Sequence, residues 1–270
     1  MRRANLVAGI MLVGLVIVTA AVSLVWTPYD PVRVDPTTVL APPGSAHLLG
    51  TDGFGIDVLS RLMVSARTCV LVGLIAVGIA AVVGVPLGII AGQRGGWLSE
   101  LIMRSSDILY ALPALLLAIL LAAALGASTL TAMIAIGVAT VPAFARVTRA
   151  STLQVMSQDY VLAARAAGTP PVGIAVRHIL PNVAPMVGVQ ASVAFGIAIL
   201  AEAALSYLGL STPPPTPTWG RMLRDAQSQM FLDPWQPLWP GVAIAVAVLG
   251  FNLLGDGLRD LLDPRLRELR

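Results

Sequence analysis

Few side chains in this chain of 270 residues could do chemistry. His47 and His178 are the only histidines, and Cys69 is the only cysteine. Metal cages and nucleophilic triads therefore have little to build on, and no intramolecular disulfide can form. All 17 basic residues are arginine, with no lysine anywhere. A Walker A loop needs a lysine on the nucleotide phosphates, so the chain carries no P-loop ATPase. No Gly-x-Gly-x-x-Gly, His-Glu-x-x-His or nucleophile elbow is present. No catalytic residue, metal site or cofactor is expected in the chain itself.

One polar segment has the residue types of a docking element. Asp159 is expected to cap a helix over Tyr160–Ala167. Tyr160, Ala163, Ala164 and Ala167 repeat at i, i+3, i+4, i+7 and share one small-residue face. Gly168 supplies a left-handed stop. Thr169 is expected to cap a second helix with Pro170 at its first position, running to about Ile179 before Pro181 ends it. Arg165 and Arg177 offer charged contacts to a soluble partner. An ordinary amphipathic connector lying on a membrane surface fits the same pattern.

These residues must be held by membrane spans. The chain is 57% hydrophobic and 11% charged, against about 25% charged in an average soluble domain. The first apolar run is Leu6–Trp26, read as a retained span and not a cleaved signal peptide. The second lies between Arg67 and Arg94. The third, between Asp107 and Arg146, has 38 uncharged residues. As one helix it would be about 57 Å long, against about 30 Å of hydrocarbon. It must turn back near Gly126–Thr129, giving spans near Ile108–Leu125 and Leu130–Ala145. Two more spans are expected near Val183–Tyr207 and Trp239–Leu254. The expected class is an all-α membrane protein with six transmembrane helices.

Arginines set the orientation. Twelve fall in the N-tail, the second and fourth loops and the C-tail, and five in the other loops. Both termini are thus expected to be cytoplasmic. The modest net charge of +3, clustered in short loops, argues for a membrane rim in contact with lipid and against nucleic acid. Pro86, Pro113 and Pro142, with Gly84, Gly88 and Gly137, could kink spans or let them pack closely. Glu202 is the one acidic candidate inside a span. It reads equally as a polar group on a substrate path or gate, and as a satisfied interhelical hydrogen bond.

The segment Asp159-Tyr160-Val161-Leu162-Ala163-Ala164-Arg165-Ala166-Ala167-Gly168, with Arg177-His178-Ile179-Leu180-Pro181-Asn182 after it, resembles the EAA loop of binding-protein-dependent ABC importer permeases. The stretches His47–Asp52, Asp57–Leu62, Leu205–Leu210, Pro214–Leu223, Phe251–Asp260 and Leu262–Arg265 resemble permeases of the dipeptide/oligopeptide/nickel family, C-subunit type. Two departures stand out. Leu162 occupies the loop's acidic position, and Ile56 stands where many members carry arginine.

The resemblance implies a type I ABC importer permease fold in the bacterial inner membrane. Residues 1–66 would form the first span and an extracytoplasmic segment. Residues 67–256 would form the five-span transmembrane domain with its coupling loop at 159–181, and 257–270 a cytoplasmic tail. Coupling would fall to Asp159, Tyr160, Ala163, Ala164, Arg165, Gly168, Arg177 and Pro181. A second homologous permease, two ATPase subunits that bind ATP and magnesium, and an extracytoplasmic binding protein are the implied partners. The implied cargo is a di- or oligopeptide. Nickel chelates or haem-like molecules on the same architecture are the alternative, and an ion-coupled carrier is a rival of another class.

Overall fold

The structure is a computed structural model and describes residues 2–262. The described residues form helices α1 (Arg2–Val25), α2 (Val58–Arg94), α3 (Gly96–Ala111), α4 (Ala114–Leu125) and α5 (Thr129–Met156). Then come α6 (Asp159–Ala166), α7 (Pro171–Ile174), a π turn (Ala175–Ile179), α8 (Leu180–Tyr207), α9 (Trp219–Gln227) and α10 (Leu238–Leu262). Among the described residues five helical stretches are long and apolar enough to cross a bilayer, and α3 with α4, bent by 82°, make six if that pair is one broken span. The tail motif from Asp263 and the arginines at 265, 267 and 270 lie outside the described residues.

The runs between charges locate the spans but not their ends. The second span begins at Val58, because Asp57 caps it: its carboxylate accepts from the Ser60 amide at 2.8 Å. Arg61 and Arg67 therefore lie inside α2 and not in a loop. Arg146 and Arg149, expected in the fourth loop, lie inside α5. The expected continuous span at Ile108–Leu125 is broken at Leu112–Pro113. Proline lacks the amide that would continue α3, and its ring disfavours helix at the preceding residue. Pro86 and Pro142, by contrast, sit within unbroken helices.

α2 and α5 form the central pair. Gly84, Gly88 and Gly92 line the contact at four-residue spacing. A Cβ on Gly88 would lie 2.6 Å from both the Ala145 carbonyl oxygen and Thr148 Cβ. Small residues here let two backbones approach, as membrane helices require when water cannot drive their association. α8 packs across this pair, and α1 and α10 close the far side. One apolar cluster joins α1, α2, α8, α9 and α10 through Val13, Ile199, Trp219 and Phe251. Another joins α2, α5 and α8 to the 159–181 segment through Phe144, Val161, Ile174 and Ile179.

Residues 26–57 and α9 fold over one end of the bundle, the cap end. Arg61 is buried between Asp52 and Asp225, at 3.1 Å from the latter. His47 Nδ1 lies 2.9 Å from Asp57 Oδ1. Trp219 donates its indole N–H to the Leu62 carbonyl at 3.1 Å. Ile56 is buried, and its amide donates to Asp52 at 3.0 Å. The opposite end, the loop end, carries the 95–96 turn and residues 157–179.

Candidate functional site: the 159–181 segment

The segment is two short helices pinned to the loop end. α6 stops by a reciprocal pair of backbone bonds. The Thr169 amide donates to the Ala164 carbonyl at 3.0 Å, and the Gly168 amide to that of Arg165 at 3.0 Å. This double closure needs a left-handed residue, and Gly168 supplies it at φ +80°. A Cβ there would meet nothing within 4 Å. Glycine is required by its backbone angle alone.

The starts of both helices differ from expectation. Asp159 is the first helical residue and not the cap; Gln158 takes the cap position, and neither side chain caps. A carboxylate in the first turn still complements the helix dipole. The second helix starts one residue later, with Pro170 at the cap and Pro171 first. Thr169 makes no capping bond there.

Pro181 does not end the helix. The chain runs as one helical stretch from Pro171 to Tyr207. The π turn makes this feasible: the Leu180 amide reaches back five residues to the Ala175 carbonyl. The wider turn removes the conflict between the proline ring and the carbonyl four residues earlier. The segment is thereby helically continuous with a membrane span.

The segment has an anchored side and a free side. Val161, Ile174 and Ile179 are buried in the α2–α5–α8 core. Gln93, in the last turn of α2, donates its side-chain amide to the Pro171 carbonyl at 3.1 Å. Tyr160, Ala163, Arg165, Gly168, Arg177 and Pro181 are exposed, and Ala164 is half-buried. The Tyr160 and His178 rings lie 5.9 Å apart, so the two arms touch. Arg165 lines an open cleft of about 390 Å³ with Gln93, Arg94, Met156, Thr169, Pro171 and Ile174. Leu162 and Val172 add exposed apolar surface, at 49% and 74% accessibility. The face can receive a groove of a soluble partner.

The small-residue stripe is visible in the sequence, and the buried anchors carry no such mark. Val161 sits one residue from the small-residue stripe, and Gln93 lies 78 positions before Pro171, whose carbonyl it reaches. No local pattern marks that pairing. Glu202 lies far from this segment, near the cap end of α8. It is 3% exposed, with the Ser211 hydroxyl 3.5 Å from its carboxylate. The side chain is enclosed within the subunit.

Comparison with known proteins fits this geometry. Residues 84–268 match the family described as "Binding-protein-dependent transport system inner membrane component". The chain is 41% identical over 262 residues to a dipeptide transport system permease protein of Alkalihalophilus pseudofirmus, covering 95% of this chain and 86% of that protein. It is 43% identical over 268 residues to a di/tripeptide transport system permease of Pseudomonas aeruginosa, covering 96% and 88%. A glutathione transport system permease of Pectobacterium atrosepticum is 41% identical over 226 residues, covering 84% and 75%. The fold also resembles a chain of the inward-facing MetNI methionine ABC transporter, with TM-score 0.62 and 16% identity, over 75% of this chain and 96% of that one. The chain is a multi-pass inner-membrane transport subunit, and it belongs to the binding-protein-dependent transport system inner membrane component family of ABC importer permeases.

Proposed function

We propose that this subunit forms half of the passage of an ATP-driven importer of di- or oligopeptides. Its partners would be a second, homologous permease, two ATPase subunits beneath the loop end and an extracytoplasmic binding protein above the cap end. Both termini and the 159–181 segment would then be cytoplasmic, as the arginine distribution indicates. ATP and magnesium would bind the ATPase subunits. The five spans from residue 67 to 256 would carry translocation.

The observation that carries this reading is the join between the exposed 159–181 face and span α8. A push on that face cannot be absorbed locally. The π turn continues the helix, and Val161, Ile174 and Ile179 tie the segment to α2 and α5. Movement of a docked ATPase would therefore tilt spans. The peptide cargo is supported by the transport names of relatives at 41–43% identity over nearly the whole chain. Glu202, enclosed as it is, would serve packing near the cap end and not the passage wall.

The test is reconstitution. The chain is expressed with its co-encoded partners and purified through a tag on this subunit. Two ATPase chains and a second permease are expected in the particle, and peptide uptake into proteoliposomes is expected to need ATP and the binding protein. Uptake by this chain alone under a proton gradient would overturn the proposal. Uptake of nickel chelates or haem with no peptide uptake would overturn the cargo only.

A further inference from the structure

A charged cluster stands on a span surface where lipid would be unwelcome to it. Arg146 is 17 residues from the start of α5 and 10 from its end, about 26 Å and about 15 Å along the axis. Its guanidinium carbon lies 4.1 Å from the centre of the Tyr110 ring, and Nη2 lies 3.6 Å from Asp107 Oδ1. Its Nε is buried with no hydrogen-bond partner among the described residues. All three side chains reach the subunit surface: Asp107 is 67% exposed, Tyr110 59% and Arg146 40%. One and two turns toward the loop end, Arg104 and Glu100 pair at 2.6 Å on the same stripe of α3 as Asp107.

The cluster sits beside the break in the span. One turn past Asp107 the chain bends by 82° at Leu112–Pro113. Charges inside a membrane face protein or water, because lipid exposure costs several kcal/mol. Broken backbone at that depth is tolerated only where protein covers it or it lines a water-filled cavity. Both features of this patch are ones that protein or water, and not lipid, is expected to cover. The polar stripe leading to it from the loop end marks a hydrated route.

The chemistry of the patch is that of a carboxylate receiver. The Tyr110 ring covers the guanidinium face and Nε is buried, so the terminal edge formed by Nη1 and Nη2 is the one left to a ligand. That edge suits a planar carboxylate, which it can grip with two parallel bonds. At 3.6 Å the pair with Asp107 is looser than the roughly 2.7–2.9 Å of a tight charge-assisted bond, so an incoming anion can displace it. We propose that Arg146, Tyr110 and Asp107 form a way-station on the substrate passage, where Arg146 takes a free carboxylate of the passing peptide. The proposal rests on the peptide-importer reading above. Asp107 is the resting counter-ion and restores the pair as the substrate leaves. That exchange keeps the hold weak enough for transit.

Ala111→Cys, exposed one helical turn past Asp107, tests this in the assembled importer without removing a member of the station, since the chain's own Cys69 is buried. A charged methanethiosulfonate reagent is expected to label it. A dipeptide at millimolar concentration is expected to slow labelling at least five-fold, and the same dipeptide with an amidated C-terminus is expected not to. No labelling in any nucleotide state, or equal protection by the amide, overturns the station. In proteoliposomes, Arg146→Gln is expected to lower peptide uptake at least ten-fold, and Arg146→Lys, which keeps the charge but not the two parallel bonds, to recover only part of it. The exchange Arg146→Asp with Asp107→Arg is expected not to recover it; full recovery would reveal a mere strut between α3 and α5. If Arg146→Gln does not assemble, the labelling experiment decides alone. An unaltered complex that imports no peptide overturns the parent reading with the station. Normal peptide import by Arg146→Gln overturns the station alone.

Discussion

Gln93 and Pro171 lie 78 positions apart, yet the side-chain amide of the first donates to the carbonyl of the second at 3.1 Å. The bond links the last turn of α2 to the first residue of α7, whose carbonyl also accepts the Ala175 amide. One neutral bond of this kind contributes about 1 kcal/mol. Gln93→Ala is therefore expected to leave the protein folded and to loosen coupling. Peptide imported per ATP hydrolysed, measured in proteoliposomes, is expected to fall about two- to five-fold. An unchanged ratio would show that the apolar anchors suffice.

Gly168 permits a sharper comparison, since space is not at issue there. A β-branched residue is strained at φ +80°, whereas asparagine tolerates that region. Gly168→Val is expected to cost about 1–3 kcal/mol of local order and to uncouple ATP hydrolysis from import. Gly168→Asn is expected to retain most transport. Equal transport by both variants would remove the left-handed turn from the mechanism.

Arg165 sits on the free face at the mouth of the cleft formed with Arg94 and Met156. Arg165→Glu is expected to reduce recovery of the ATPase subunits with this chain, without changing the yield of the permease pair. The loss is expected to deepen at low ionic strength if repulsion causes it. Undiminished recovery at low salt would assign the docking energy to the apolar residues Leu162 and Val172.

Arg61 holds the cap end together by charge. It is 6% exposed and lies against two carboxylates, Asp52 and Asp225. Removing it leaves those charges without their partner, which typically costs about 3–5 kcal/mol. Arg61→Leu is expected to lower the melting temperature of the purified complex markedly, while Asp225→Asn, at the more exposed end, lowers it less. The reverse ranking in a thermal-shift assay would contradict the placement of the pair.

Gly88 tests the central helix pair. A side chain there meets the Ala145 backbone oxygen, which cannot move away alone. Gly88→Leu is expected to abolish recovery of folded protein from membranes, and Gly78→Leu, with nothing within 4 Å of its added Cβ, to be tolerated. Size-exclusion profiles in detergent distinguish the two.

The spans were legible in the sequence because a bilayer leaves long uncharged runs as its imprint. Their ends were less so. Arg61, Arg67, Arg146 and Arg149 continue helices that charge-counting would stop, since each finds a partner: carboxylates, Ser23 Oγ at 2.6 Å, or Ser99 Oγ at 3.0 Å. The break at Pro113 was ambiguous for a different reason. Three span prolines look alike in sequence, yet only one interrupts its helix. Which one yields depends on neighbours that supply or withhold packing, and no local rule contains them. In the 159–181 segment, Gly168 announced its turn through an intrinsic backbone preference. The behaviour of Pro181 depended on a five-residue turn that no residue type marks. The charged cluster at Arg146 escaped notice because Asp107 and Arg146 served only as boundaries of an apolar run.

The π turn at Ala175–Ile179 has one more consequence. Its extra residue acts as a phase shift, rotating everything downstream by about 100° relative to an uninterrupted helix. Deleting a single residue between 175 and 179 would remove the extra residue and its offset together, so α8 would keep its inward-facing stripe while Pro181 would meet the carbonyl four residues earlier. The two ends of the rod would then keep their facing, and the strain would collect at the proline between them.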